Sequence, residues 1–197
     1  MNEHHLIMDL DGVIQDLETI MVEIFNREHG TSFKKDDGPN WNMLPIFRDS
    51  DHFKEFFKKH RKEILLNAPL FEGAAEFFNQ CYRMCLQAHW GFTFFSALID
   101  PVDFYLKHKH VNDVLGSEIA GLLKMGEHKK DLFRSGDIIV DDCPMNLIYA
   151  ALVGAHPICI AQPWNQMISK PAWEGPRYDY LMAARRIQEI LEGSLHA

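Results

Sequence analysis

The sequence predicts an α/β fold, a parallel sheet flanked by helices and carrying a small helical insertion, and three observations lead to that expectation. The run Leu6-Ile7-Met8 ends in Asp9-Leu10-Asp11-Gly12, and the run Ile138-Ile139-Val140 ends in Asp141-Asp142. Between and beyond them, strand-like apolar runs alternate with segments of helical spacing, the pattern of right-handed crossover units. A run with no charge before its last residue suits a strand covered on both faces, and ligands of parallel sheets bind at the carboxyl ends of such strands. The paired acids therefore mark both the architecture and the place where chemistry is expected.

The first strand occupies the segment up to Asp9, and Gly12 lets the backbone turn away from it. Leu17, Ile20, Met21, Ile24 and Phe25 then follow helical spacing, with a stop at Gly30. A polar stretch over 34–40 and a second amphipathic pattern in Phe53, Phe56, Phe57, Ile64 and Leu65 read as an inserted helical cap. The expected division is a core of residues 1–14 and 70–197 with a cap of 15–69. Pro69 to Gly73 returns the chain to the core, Ala74 to Tyr82 reads as a helix and Met84 to His89 as the second strand. Val102 to His110 is helical, and Ile119 to Leu123 is a candidate strand before the paired-acid strand. Asn146 to Val153 forms a helix stopped by Gly154, Pro157 to Ala161 a further strand, and Tyr178 to Leu191 a closing helix with Leu181, Ile187, Ile190 and Leu191 on its apolar face.

With 197 residues and 47% hydrophobic content, the chain is long enough for one core-bearing domain with an insertion. A net charge of −8 and the lack of a Lys/Arg stripe argue against nucleic acid as a partner. No apolar run is long enough to span a bilayer, so no membrane partner is expected. The start Met1-Asn2-Glu3-His4-His5 has no signal-peptide pattern. Cys81, Cys85, Cys143 and Cys159 follow no zinc-ligand or Cys-x-x-Cys spacing, so reduced thiols and a cytoplasmic location are expected. Four carboxylates converging at strand ends repel one another unless a cation or shared proton compensates them, which points to a hard divalent metal, magnesium.

Asp9-Leu10-Asp11-Gly12-Val13 near the start and Ile139-Val140-Asp141-Asp142 near residue 140 resemble, in order and separation, the haloacid dehalogenase (HAD) superfamily of phosphotransferases. Within it, the stretch from Gly136 to Gln162-Pro163-Trp164-Asn165 looks most like the 5'(3')-deoxyribonucleotidases. The resemblance implies a Rossmann-like core and a magnesium-dependent phosphomonoester hydrolase. Asp9 would be the nucleophile that forms an aspartyl-phosphate, and Asp11 the acid that protonates the leaving oxygen and later activates water. Magnesium would be held by the Asp9 carboxylate, the Asp11 backbone carbonyl and Asp141, with Asp142 orienting a ligand beside it.

The family also places a Lys beside the nucleophile, for which Lys130 is the expected residue, with Lys129 and Lys124 as alternatives. Where the family carries a phosphate-binding Ser or Thr after its second strand, the stretch from Leu86 to Thr93 offers His89 or Thr93 in its place. Trp41, Phe47, Trp90 and Phe92 offer a flat surface for a nucleobase, although core packing explains them equally. Asn165 would orient a loop near the site, while Trp164 would pack in the core. The expected partner is a small phosphorylated substrate, a nucleoside monophosphate by the resemblance, and a homodimer stays open. The alternatives are hydrolysis of another small phosphate ester, or binding of a phosphate ligand without turnover.

Overall fold

A computed structural model describes residues 4–37, 46–97, 100–166 and 173–194. Six parallel strands form one sheet in the order β3-β2-β1-β4-β5-β6, with β1 (His5–Asp9), β2 (Gly91–Ala97), β3 (Leu123–Gly126), β4 (Ile138–Asp141), β5 (His156–Ile160) and β6 (Arg177–Tyr178). The expected parallel α/β sheet is thus present. β1 lies between β2 and β4, with Asp9 opposite Phe95 and Met8 opposite Val140.

Side chains of a strand alternate between faces, and here both faces are buried. Leu6, Met8, Ile138 and Val140 enter one apolar cluster with α3 (Ala74–Gln87) and α8 (Tyr180–Ser194). Ile7 and Ile139 enter another with Phe133 and Ala150, the latter on α6 (Pro144–Leu152). Two residues on from Ile7 and Ile139 stand Asp9 and Asp141, so the same alternation that builds the core brings these acids to one face.

α1 (Leu17–His29) and α2 (Ser50–Asn67) carry a separate apolar cluster of Ile20, Met21, Ile24, Phe25 and Phe56, joined by Phe47 from the segment before α2. Asp16 caps α1 by accepting from Thr19 N, and Gly30 ends it in the left-handed region. α2 packs against α4 (Pro101–Leu115), where Arg61 reaches Asp100 and Asp103 at 3.1 and 3.2 Å. The short α5 (Ser117–Ala120) and α7 (Pro163–Gln166) complete the α-helices among the described residues. Among the described residues, no helix is long and apolar enough to cross a membrane.

The expected strand over Met84 to His89 is corrected. Phe77, Phe78, Cys81 and Cys85 form a buried stripe at helical spacing, and α3 runs through to Gln87 along it. His89 takes the left-handed turn, at φ 56°, that leads into β2. Ile119 belongs to α5, and the strand expected over Ile119 to Leu123 begins only at Leu123.

Candidate active site

The carboxyl ends of β1, β2 and β4 meet in a cluster of charge. Asp9, at the end of β1, lies 2.7 Å from the Lys129 ammonium, which also donates to Asp141 at 2.6 Å. Lys129 is buried in a 3-10 turn at Lys129–Leu132, and its ammonium stands 5.5 Å from the Phe95 ring. Asp141 is fixed further by the Cys143 backbone N–H at 2.8 Å and the Asn146 side-chain amide at 3.0 Å. Asp142 accepts from the Trp164 indole at 2.7 Å, and its other oxygen, Oδ1, is buried without a partner.

The turn after β1 is built for close approach. Gly12 has φ +79°, and a Cβ there would lie 2.3 Å from Oδ2 of Asp142, so only glycine brings the first acid segment against the second. Its carbonyl accepts from Gln162 at 2.7 Å. Asn165 donates to the carbonyls of Asp142 and Ile160 at 3.0 and 2.8 Å, tying the Gln162-Pro163-Trp164-Asn165 stretch to the end of β4. Asn165 thus does orient the loop, and Trp164, buried as expected, also holds an acid of the site.

Asp11 faces a different set of partners. Ser96, next to last in β2, donates to its Oδ2 at 2.7 Å, and Lys107 of α4 contacts both Asp11 and, at 2.6 Å, Ser96. Oδ1 of Asp11 is buried without a partner.

Burial raises the carboxyl of Asp9 to about 7; Lys129 opposes the rise, and Asp141 and Asp11 add to it. Burial, with Asp141 and Asp9 nearby, holds Asp142 well above the usual carboxylate range. Burial alone would lower Lys129, but Asp141 and Asp9 keep it above the usual lysine range. Three carboxyl groups thus gather around the single ammonium of Lys129. Asp9, Asp141 and Asp142 each offer an oxygen within 4.8 Å of the others, and with the orphaned Oδ1 of Asp142 this hard, all-oxygen set fits magnesium. The carboxylate of Asp11 stands outside that set, on Ser96 and Lys107.

Several expected site residues lie elsewhere. Lys130 is corrected to Lys129 as the lysine beside Asp9: the turn aims Lys130 at the Tyr149 ring, 5.5 Å away. His89 and Trp90 are corrected as substrate contacts, because they precede β2 at the amino end of the sheet, roughly 15 Å along the strands from the acids. Trp90 packs in the core with its ring 5.2 Å from that of His4. Thr93 is buried within β2, Phe92 packs on Phe78, and Phe47 lies in the α1–α2 cluster. Trp41 falls outside the described residues.

Sequence reasoning missed Ser96 and Lys107. Ser96 was hidden by the misplaced second strand. Lys107 had a signal: with Asp103, Leu106, His110 and Val111 it falls on the buried stripe of α4, where a lysine needs a partner.

Two cavities flank Asp11. One of about 560 Å³ includes Asp9, Phe95, Lys129, Lys130 and Tyr149 in its walls. The other, about 140 Å³, lies between the α1–α2 pair and the sheet and is bounded by Gln15, Leu17, Phe53, Phe71 and Trp164.

A family model described as "5' nucleotidase, deoxy (Pyrimidine), cytosolic type C protein" matches residues 3–185. No curated protein sequence matches the chain. Among solved structures, a hydrolase from Pseudomonas syringae superposes with a TM-score of 0.56 at 11% identity, covering 95% of this chain and 98% of that one. A HAD family hydrolase from Deinococcus radiodurans R1, solved with bound phosphate and sodium, gives 0.52 at 16% identity over 94% of this chain and 88% of that one. A hydrolase from Streptococcus pneumoniae TIGR4 gives 0.52 at 15% over 82% and 95%. At these identities the likeness is one of fold.

Proposed function

Since the chain belongs to the cytosolic type C 5'-nucleotidase family and is a HAD-type phosphatase, we propose that it is a magnesium-dependent 5'(3')-deoxyribonucleotidase, hydrolysing deoxyribonucleoside monophosphates through an aspartyl-phosphate on Asp9. The observation that carries this reading is the division of labour between the two acids. Asp9 faces Lys129 and the metal-fitting carboxylates, while Asp11 faces Ser96 and keeps one oxygen free.

An oxygen of Asp9 attacks phosphorus as the bond to the leaving oxygen breaks, and Asp11 supplies that oxygen with its proton. Asp11 then takes a proton from water, whose oxygen attacks phosphorus and displaces the Asp9 carboxylate, giving inorganic phosphate. Lys129, Lys107 and Ser96 supply hydrogen bonds to the phosphoryl oxygens as charge moves onto them. Asp9, Asp141, Asp142 and the Asp11 backbone carbonyl would hold magnesium, which would supply positive charge to offset the acids and the phosphate. The α1–α2 pair acts as the cap that keeps bulk water from the phosphoenzyme.

The test is phosphate release from deoxyribonucleoside and ribonucleoside monophosphates, with and without magnesium, using Asp9→Asn as control. Metal-dependent turnover, highest on deoxyribonucleotides and lost in Asp9→Asn, is the expected result. Release only from sugar phosphates would keep the chemistry and overturn the substrate. Tight binding with no release would make the protein a phosphate-ligand receptor.

A further inference from the structure

Gln15 is fully buried four residues beyond Asp11, and neither its carboxamide oxygen nor its nitrogen has a hydrogen-bond partner. Buried amides are almost always paired, so one lacking both partners calls for an explanation. Its backbone is firmly held. Its N–H donates to Leu10 O at 2.9 Å, its carbonyl accepts from Gly12 at 3.0 Å, and it bridges both Asp11 and Leu70. The side chain is therefore presented from a fixed point beside the second acid of the site.

Gln15 lines the cavity of about 140 Å³ that also touches Asp11, and apolar groups of Leu17, Met21, Phe53 and Phe71 supply much of the remaining wall. A space of about this size holds a single six-membered ring, and this one opens to solvent with Asp11, Glu18 and Asp142 in its wall. The Lys35 ammonium stands 4.5 Å from the Phe71 ring and 5.7 Å from that of Trp164, with Asp16 2.8 Å away, so a charge neutralised by its own partner borders the same aromatic walls.

We propose that Gln15 is a specificity-determining residue. In the free protein its carboxamide lies behind the cavity wall, and as substrate enters the side chain turns to hydrogen-bond a neutral donor and acceptor carried by the leaving group, as a sugar hydroxyl or the lactam edge of a pyrimidine would present them. This rests on the phosphatase reading, which puts the leaving oxygen at Asp11 and hence the rest of the leaving group in reach of Gln15. The carboxamide presents an amide donor beside a carbonyl acceptor, the complement of such a group. An ester without one leaves Gln15 unpaired and is discriminated against.

The test is calorimetric binding, with magnesium present, of deoxyuridine monophosphate, ribose 5-phosphate and phenyl phosphate to Asp9→Asn protein with and without Gln15→Met; Gln15→Leu serves as a second apolar variant. Loss of the amide is expected to weaken at least one of the first two ligands by roughly 10- to 100-fold, and phenyl phosphate by less than about threefold. Weakening of deoxyuridine monophosphate alone assigns the contact to the base, and weakening of both assigns it to a hydroxyl. The ligand-free Gln15→Met protein is expected to melt higher, because an unpaired buried amide is gone. Equal weakening of all three ligands, or of none, overturns the proposal, as does failure of the first two to bind the Asp9→Asn parent. If the discrimination holds but the unsubstituted protein releases no phosphate, the hydrolase reading falls and the role of Gln15 stands.

Discussion

Lys129 places one ammonium between Asp9 and Asp141, whereas the ammonium of its neighbour Lys130 lies over the Tyr149 ring. Lys129→Ala is expected to lower kcat by about 100- to 1,000-fold, the usual cost of removing a donor aimed at developing charge, and Lys130→Ala by less than about threefold. Steady-state phosphate release by the two variants checks this. The choice between adjacent lysines was not legible in the sequence, because one step along a 3-10 turn swings the side chain by about 120°. Asp9 and Asp141 were legible because each ends an apolar strand, where alternation fixes the face it points to, whereas Asp11 and Asp142 lie in the turns beyond, and their orientation came only with the structure. Gln15 and Lys107 carry signals of another kind, polar groups at buried positions, which become informative only once the burial is known.

At the scale of elements, strand β1 and strand β4 were readable as uniform apolar runs, while the boundary between α3 and β2 was not. Met84, Cys85 and Leu86 form a short apolar run that suits a strand or a buried helical turn, and periodicity over so few residues does not separate them. The longer stripe from Phe77 to Cys85 decides for helix, and the shift moves the second strand's end from His89 to Ser96 and Ala97. The turn between β1 and α1 gives a sharper test of how elements dock. Gly12→Ala meets both the left-handed backbone, which costs about 1–2 kcal/mol, and a collision with Asp142. Gly30→Ala, at φ +62° with nothing within 4 Å, meets only the backbone cost. Thermal melting of the two variants is expected to show the larger loss for Gly12→Ala. Magnesium is expected to raise the Tm of Gly30→Ala and to leave that of Gly12→Ala nearly unchanged.

For the molecule as a whole, the site subtracts from stability. Asp9, raised to about 7, has a folded pKa above its unfolded one, so the folded chain holds a proton that the unfolded chain releases. Stability from this source falls as pH rises from about 4 to 7 and stays low above it. Burial lowers His110 and His156, which gives the opposite slope on the acid side of about 6.5. The difference between two proteins that share those histidines removes that contribution. The Tm of metal-free Asp9→Asn relative to the unsubstituted protein is therefore expected to rise from pH 5 to pH 8. Magnesium is expected to raise the unsubstituted protein's Tm more at pH 8 than at pH 5, where protons compete for the same oxygens. The order of the strands sets a further condition, one that falls on the chain during its synthesis. β1 is one of the two middle strands, yet its neighbours begin at Gly91 and Ile138. On a ribosome adding about 5–20 residues per second, the first neighbour is complete on the order of 4–18 s after β1. Until then Leu6, Ile7 and Met8 have no native strand to pair with, so the segment that anchors the active site is also the one the nascent chain must keep from pairing with a stranger once it has left the ribosome.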